Sequence, residues 1–119
     1  MFKLEIELKS LTSFTKTFAS KEECANIDEL INYAGEYGHG FGIILGVIND
    51  HKHPIPQSIY DQIIRVGQFF EDASKKLKYR DVTPDMWEDL QPLVISDEKY
   101  KAGVMSGKIK VNQNKSNDY

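Results

Sequence analysis

The sequence predicts an α+β fold: a small, mainly antiparallel sheet of three or four strands, with a long amphipathic helix packed across one face. Three observations lead to this prediction. Apolar and polar residues alternate at the start of the chain, residues 57–79 carry an apolar stripe at helical spacing, and a strongly apolar run from Phe41 to Ile48 lies between them. A period of two is typical of a half-buried strand, and steps of three and four are typical of a helix.

Two strands are predicted at the start of the chain. In residues 2–9, FKLEIELK, the apolar residues Leu4, Ile6 and Leu8 alternate with lysines and glutamates, which favours a strand with one buried face. Residues 11–19, LTSFTKTFA, are rich in Thr and Phe and are predicted to form a second strand after a turn near Ser10.

A helix is predicted after Ser20, because Ser20 and Glu23 have the spacing of a capping box. The next stretch, residues 35–56, contains five of the eight glycines and all three histidines. The periodicity of Phe41–Ile48 within it leaves strand and helix open. Its shortness, its Ile and Val content and the flanking glycines favour a buried strand.

Residues 57–79 form the most clearly predicted element, an amphipathic helix with acid-before-base pairs four residues apart. Leu93–Ile95 is predicted to be a short strand. A final strand is predicted over residues 107–111, GKIKV, with Ile109 facing inward and both lysines facing outward. These elements predict a single domain over residues 1–111 and a flexible tail over residues 112–119.

The composition sets bounds on function. The chain has 119 residues, of which 40% are hydrophobic and 28% are charged, and its net charge is −3. This charge and the presence of only two arginines disfavour binding to nucleic acid. No apolar run approaches the ~20 residues that span a bilayer, and residues 1–20 lack signal-peptide features. We therefore expect a cytoplasmic protein without membrane contact.

The histidines suggest one candidate metal site. His51 and His53, with the neighbouring Asp50, offer two imidazoles and a carboxylate, which are ordinary ligands of divalent metals. In extended backbone the two rings would point to the same side, and His39 is the candidate for a further ligand. This hypothesis corresponds to a small metal- or histidine-dependent enzyme that uses residues 39–53.

Two other patterns, a glycine-rich stretch and a single cysteine, do not support a nucleotide-binding loop or a catalytic thiol. The glycines of residues 38–42 lack the strand before and the helix after them that a dinucleotide-binding loop requires. Cys24 is the only cysteine, which excludes an internal disulfide, and it falls in an apolar helical series where a thiol is usually inert. We therefore expect no cofactor.

The acidic region around Trp87 is the predicted partner-binding site. Asp85, Glu88 and Asp89 surround Trp87, and no basic residue lies among residues 81–98, which follow Arg80. Tryptophan is enriched at binding hot spots, and an acidic rim suits a basic partner. The alternative, a solvated helix start with Trp87 in the core, stays open.

The sequence thus predicts a small acidic interaction protein without enzymatic activity, of accessory, inhibitor or immunity type, whose partner is another protein. The first alternative is the histidine-dependent enzyme described above. The second is binding to single-stranded nucleic acid, through outward-facing lysines and the nearby Phe14 and Phe18. The lysines in question are Lys3, Lys9, Lys108 and Lys110. The oligomeric state stays open.

Overall fold

The computed structural model describes residues 3–33, 36–74 and 82–112. This part of the chain is mainly helical. The helices are α1 (Leu4–Lys16), α2 (Lys21–Asp28), α3 (Tyr37–His51), α4 (Gln57–Ser74), α5 (Asp85–Glu88) and α6 (Asp97–Met105). A π-helical turn, Glu29–Tyr33, continues α2, and a 3-10 turn, Gln91–Leu93, follows α5. Two strands, β1 (Ile55–Pro56) and β2 (Val94–Ile95), complete these elements.

The predicted α+β fold with a mainly antiparallel sheet is therefore wrong. Within the described residues the sheet has two strands of two residues each, and they pair in parallel, Ile55 with Val94 and Pro56 with Ile95. The predicted strand at Leu93–Ile95 is the one that corresponds to an observed strand, β2. A parallel pair needs a long connection between its strands, and here that connection includes α4 and α5.

The two strands predicted at the start of the chain are replaced by α1. The alternation of Leu4, Ile6 and Leu8 is misleading, because Ile6 is 62% exposed. The buried series instead continues from Leu8 to Leu11, and Leu4 packs against the same core. These steps of four and three define one helical face.

Two threonines in α1 are compatible with the helix because their hydroxyls have partners within it. Thr12 Oγ1 donates to the carbonyl of Leu8 at 2.9 Å, and Thr15 Oγ1 donates to that of Leu11 at 2.8 Å. Such bonds to the preceding turn satisfy a buried hydroxyl within a helix. The Thr-rich composition of residues 11–19 favoured a strand in the sequence, but it is compatible with α1.

The predicted strand at Phe41–Ile48 is also wrong, although most of the segment is buried as predicted. It lies in α3, where Phe41, Ile44 and Ile48 are fully buried. A Cβ atom at Gly40 would fall well inside van der Waals contact of the Ile31 side chain. Glycine is therefore needed there for the close approach of α3 to the π-helical turn, and this packing offsets the low helix propensity of glycine.

Two predicted helix features are confirmed, one of them over part of its length. Ser20 and Glu23 form the complete capping box at the start of α2: Glu23 N–H donates to Ser20 Oγ, and Ser20 N–H donates to Glu23 Oε1. The helix predicted over residues 57–79 is observed as α4 to Ser74. The rest of that prediction falls outside the described residues, as does the predicted tail beyond residue 112.

The final predicted strand, over residues 107–111, is wrong, because these residues form neither helix nor strand. The predicted facing of its side chains is nevertheless observed: Ile109 is buried, and Lys108 and Lys110 are exposed. Gly107 has φ +81°, a backbone conformation that favours glycine. It turns the chain after α6, so that Ile109 packs on Gly103 instead of on a neighbouring strand.

The core lies between α1, α3 and α4, and α2, α5 and β1 extend it at its edges. Within the described residues, no helix combines the length and the apolar character that crossing a bilayer requires.

Candidate functional site

A cluster of histidine and aromatic side chains forms where the ends of α1, α3 and α6 approach one another. We call it the histidine–aromatic cluster, and its members are Phe14, Phe18, His51, His53 and Tyr100. Phe14 lies in the last turns of α1, His51 is the final residue of α3, and Tyr100 lies in α6. The sequence singles out the histidines, but no sequence pattern places the aromatic residues beside them.

A sharp turn separates the two histidines. Lys52 between them has φ 49°, in the left-handed region, and its N–H donates to the carbonyl of Asn49 at 3.1 Å. Such a residue commonly ends a helix. The expectation of an extended His-X-His segment is therefore wrong, because the backbone reverses direction at Lys52. As a result, His51 and His53 have different surroundings.

His53 is buried and has a hydrogen-bond partner. It is 6% exposed, and its ring stacks on Phe18 with a centroid separation of 3.7 Å and an interplanar angle of 9°. Its Nε2 and the Tyr100 hydroxyl share a hydrogen bond of 2.8 Å. Burial, assisted by the nearby His51, lowers the pKa of His53 from 6.5 to about 4. His53 is consequently neutral at physiological pH.

Tyr100 completes this buried pair. Burial raises its pKa from 10.0 to about 12, so the hydroxyl keeps its proton at any physiological pH. A neutral imidazole bonded to a protonated phenol holds no charge and has little tendency to exchange protons at pH 7. The pair therefore fits a packing and positioning role better than acid–base catalysis.

His51 lies nearer the surface, with a side chain that is 35% exposed. Its Nε2 is 2.9 Å from Oε1 of Glu23 on α2. The pKa of Glu23 is lowered, first by the Ser20 N–H bond and then by His51. A carboxylate can orient an imidazole for general-base catalysis, but no nucleophilic side chain among the described residues is hydrogen-bonded to His51.

The three histidines do not converge. His39 lies in the first turn of α3, and its Nδ1 is 3.6 Å from Oε1 of Glu36. His51 ends the same helix twelve residues later. At 1.5 Å per residue, their positions along the helix axis are roughly 18 Å apart. Asp50 is exposed. Across residues 3–33, 36–74 and 82–112, no group of three or more His, Cys, Asp or Glu side chains is placed to hold a metal ion.

The predicted partner-binding residues lie on and beside α5, but they do not share one surface. Asp85, Glu88 and Asp89 are exposed, whereas Trp87 is only 6% exposed. The Trp87 indole packs on the backbone of Gly67 in α4, and Tyr60 Oη donates to the carbonyl of Trp87 at 2.9 Å. Trp87 therefore anchors α5 to the core, and only the acids are accessible to a partner.

Two of these acids line an open groove between α3 and α5. We call it the α3–α5 groove. Its volume is about 230 Å³, and it is lined by Gly42, Leu45, Gly46, Asn49, Asp85, Met86, Asp89 and Leu90. A Cβ atom at Gly46 would meet nothing within 4 Å. Thr83 Oγ1 donates a short hydrogen bond to Asp85 Oδ1, which helps to position that carboxylate.

The α3 side of this groove was missed from the sequence. Gly42, Gly46 and Asn49 are spaced by four and three residues, which is a helical signal. It went unused because the segment was predicted to be a strand.

Comparison with known proteins gives no relatives: no protein-family model, no curated protein and no solved structure matches this chain.

Proposed function

We propose that this protein is a non-enzymatic interaction protein that binds a basic segment of another protein in the α3–α5 groove. One observation carries the proposal. Among the described residues, the groove combines two carboxylates, those of Asp85 and Asp89, with an apolar floor, and no Lys, Arg or His lines it. Opposite charge across an interface contributes specificity and a faster association rate.

The dimensions and chemistry of the groove suit a lysine or arginine side chain. Leu45 and Leu90 are 3% and 1% exposed and form the floor. The absence of a side chain at Gly46 leaves the backbone of α3 open to close approach. The methylene groups of a basic side chain can cover such an apolar floor while its charged end reaches a carboxylate.

Trp87 and Glu88 contribute in other ways. Trp87 is buried against Gly67, so it holds the acidic segment rigidly and does not itself contact a partner. Glu88 is exposed outside the groove lining, where it adds negative charge to the same part of the surface. Rigid presentation of charged groups reduces the entropy that is lost on binding.

Charge reversal in the groove tests the proposal. The protein and its Asp85→Lys/Asp89→Lys variant serve as baits for capture from cells of the source organism, and captured proteins are identified by mass spectrometry. We expect the variant to lose a partner that the unmodified protein retains. Glu5→Lys/Glu98→Lys changes the net charge equally at exposed positions outside the groove and should retain that partner. Equal capture by all three baits would overturn the proposal.

A second variant fills the groove without changing its charge. Gly46→Leu adds a side chain where the structure has open space, so the helix should be preserved while the groove is blocked. We expect this variant to lose the same partner as Asp85→Lys/Asp89→Lys. Retention of the partner by Gly46→Leu would place the contact elsewhere on the acidic surface.

A further inference from the structure

A second pocket lies on the outer side of the histidine–aromatic cluster. We call it the lysine-rimmed pocket. Its volume is about 300 Å³, and its chemistry is set by Phe18, His51, Lys52, His53, Lys108 and Lys110. Within residues 3–33, 36–74 and 82–112, no Asp or Glu lines it. Three lysines around one pocket without an acid differ from the composition of the whole chain, which has 18 acidic and 15 basic residues.

Two of these lysines lack a counter-charge in the part of the chain that the structure describes. Among the described residues, neither Lys108 nor Lys110 forms an ion pair. Lys52 Nζ donates to Asn49 Oδ1 at 2.9 Å, which is a neutral acceptor. An ammonium group has three N–H donors, so Lys52 keeps its charge and further donors for a ligand.

The segment that carries Lys108 and Lys110 is held at two points, Ile109 and Asn112. Ile109 between them is buried on Gly103, and its N–H donates to the Gly103 carbonyl at 2.9 Å. Asn112 Nδ2 donates to the carbonyls of Lys16 and Ala19, at 3.2 and 3.1 Å. These bonds hold the segment against the end of α1. The two lysines therefore extend from a constrained wall of the pocket.

The pocket floor is closed. Phe18 is 8% exposed, and His53 stacks on one of its faces. A single-stranded nucleic acid needs open aromatic faces on which successive bases stack, along a groove that follows the backbone. A compact anion needs neither. The volume is at the lower end of the range for small-ligand sites, ~300–1,000 Å³.

From these observations we propose that the lysine-rimmed pocket binds the phosphate group of a small phosphomonoester. A phosphomonoester carries close to two negative charges at pH 7 and offers three acceptor oxygens. Lys108 and Lys110 offer two ammonium groups for this charge, and Lys52 adds a third lysine to the pocket lining. The proposal does not depend on the α3–α5 groove, because the two sites share no lining residue.

Titration followed by two-dimensional ¹H–¹⁵N NMR spectroscopy tests this proposal. The probes are inorganic phosphate and glycerol 3-phosphate, added at constant ionic strength with chloride as the reference anion. We expect saturable shifts of the backbone signals of Lys52, Lys108, Lys110 and Asn112. Shifts that are absent, or equal to those with chloride, would overturn the proposal without requiring any variant.

Two charge-neutralised variants locate the site. Lys108→Gln/Lys110→Gln should weaken glycerol 3-phosphate binding by about tenfold or more, which corresponds to ~1.4 kcal/mol. Lys99→Gln/Lys101→Gln removes the same charge from exposed positions outside the pocket and should change the affinity less than about twofold. Equal losses of affinity for glycerol 3-phosphate in the two variants would indicate a general charge effect and would overturn the assignment of the site.

Two further probes distinguish the source of the phosphate. A single-stranded oligothymidylate and phosphatidylserine vesicles are compared with glycerol 3-phosphate at equal phosphate concentration. We expect the small phosphomonoester to produce the larger effect on the pocket signals. Tighter binding of the oligonucleotide or of the vesicles would overturn the assignment to a small molecule.

Discussion

The indole ring of Trp87 packs directly on the backbone of Gly67, and this contact joins α5 to α4. A Cβ atom at Gly67 would fall well inside van der Waals contact of three atoms of the indole. The hydrogen bond from Tyr60 to the Trp87 carbonyl reinforces the same junction. Because the ring occupies this notch, Trp87 belongs to the core and the acids beside it remain at the surface.

The first prediction concerns this notch. Gly67→Ala should lower the free energy of unfolding by roughly 1–3 kcal/mol, because the added methyl group must displace a rigid ring in a packed interior. Chemical denaturation monitored by circular dichroism measures the change. Gly46→Ala is the matched control, since it also lies within a helix but in open space. It should raise stability by ~0.5–1 kcal/mol through helix propensity. An unchanged free energy of unfolding in Gly67→Ala would contradict this close packing.

The second prediction concerns pH. The pKa of His53 is about 4 in the folded protein, against an ordinary value of 6.5. Between these values the unfolded chain binds a proton that the folded protein does not, so the free energy of unfolding should rise with pH across this window. The stabilisation that comes from neutral His53 is fully present above pH 6.5, and it is lost as the pH falls toward 4. Its upper size is about 3 kcal/mol.

His53→Gln removes this titration, and the pH dependence of its unfolding should be flatter between pH 4 and 6.5. His39→Gln is the matched control, because it makes the same substitution at a side chain that is 61% exposed. NMR titration of the imidazole signals gives an independent measurement. A His53 pKa near 6.5 would contradict the prediction.

The third prediction concerns the bond between His53 and Tyr100. Tyr100→Phe leaves the buried Nε2 of His53 without its 2.8 Å partner, and should cost ~1–3 kcal/mol of stability. His53→Phe should remove the same bond, while the Tyr100 hydroxyl keeps its hydrogen bond with the Thr17 side chain. The double variant replaces both partners by apolar groups and should be more stable than the sum of the single losses predicts. Strict additivity across this cycle would show that the bond contributes nothing.

The candidate sites could be predicted only in part. Asp85 and Asp89 stood out by charge, and His51 and His53 by residue type, but their neighbours did not. Phe18 and Tyr100 meet His53 from positions 35 and 47 residues away. The lysines at 108 and 110 become one side of a pocket only because Asn112 bonds to the end of α1. Contacts at such separations leave no local pattern.

The sequence by itself determined features that depend on local chemistry. The capping box of Ser20 and Glu23, the amphipathic helix α4 and the inward facing of Ile109 all arise from residues a few positions apart. The burial of Phe41, Ile44 and Ile48 likewise follows from hydrophobicity alone.

Tertiary structure decided whether the two ambiguous segments became strands or helices. Leu4 and Leu8 fit both a period of two and a helical step of four, and only the packing of α1 on α3 and α4 leaves Ile6 outside the core. In α3, Gly40 lowers the local helix propensity but leaves the space that the Ile31 side chain occupies. The free energy of such packing exceeds the differences in local propensity, which are at most ~1 kcal/mol per residue for all residues except proline.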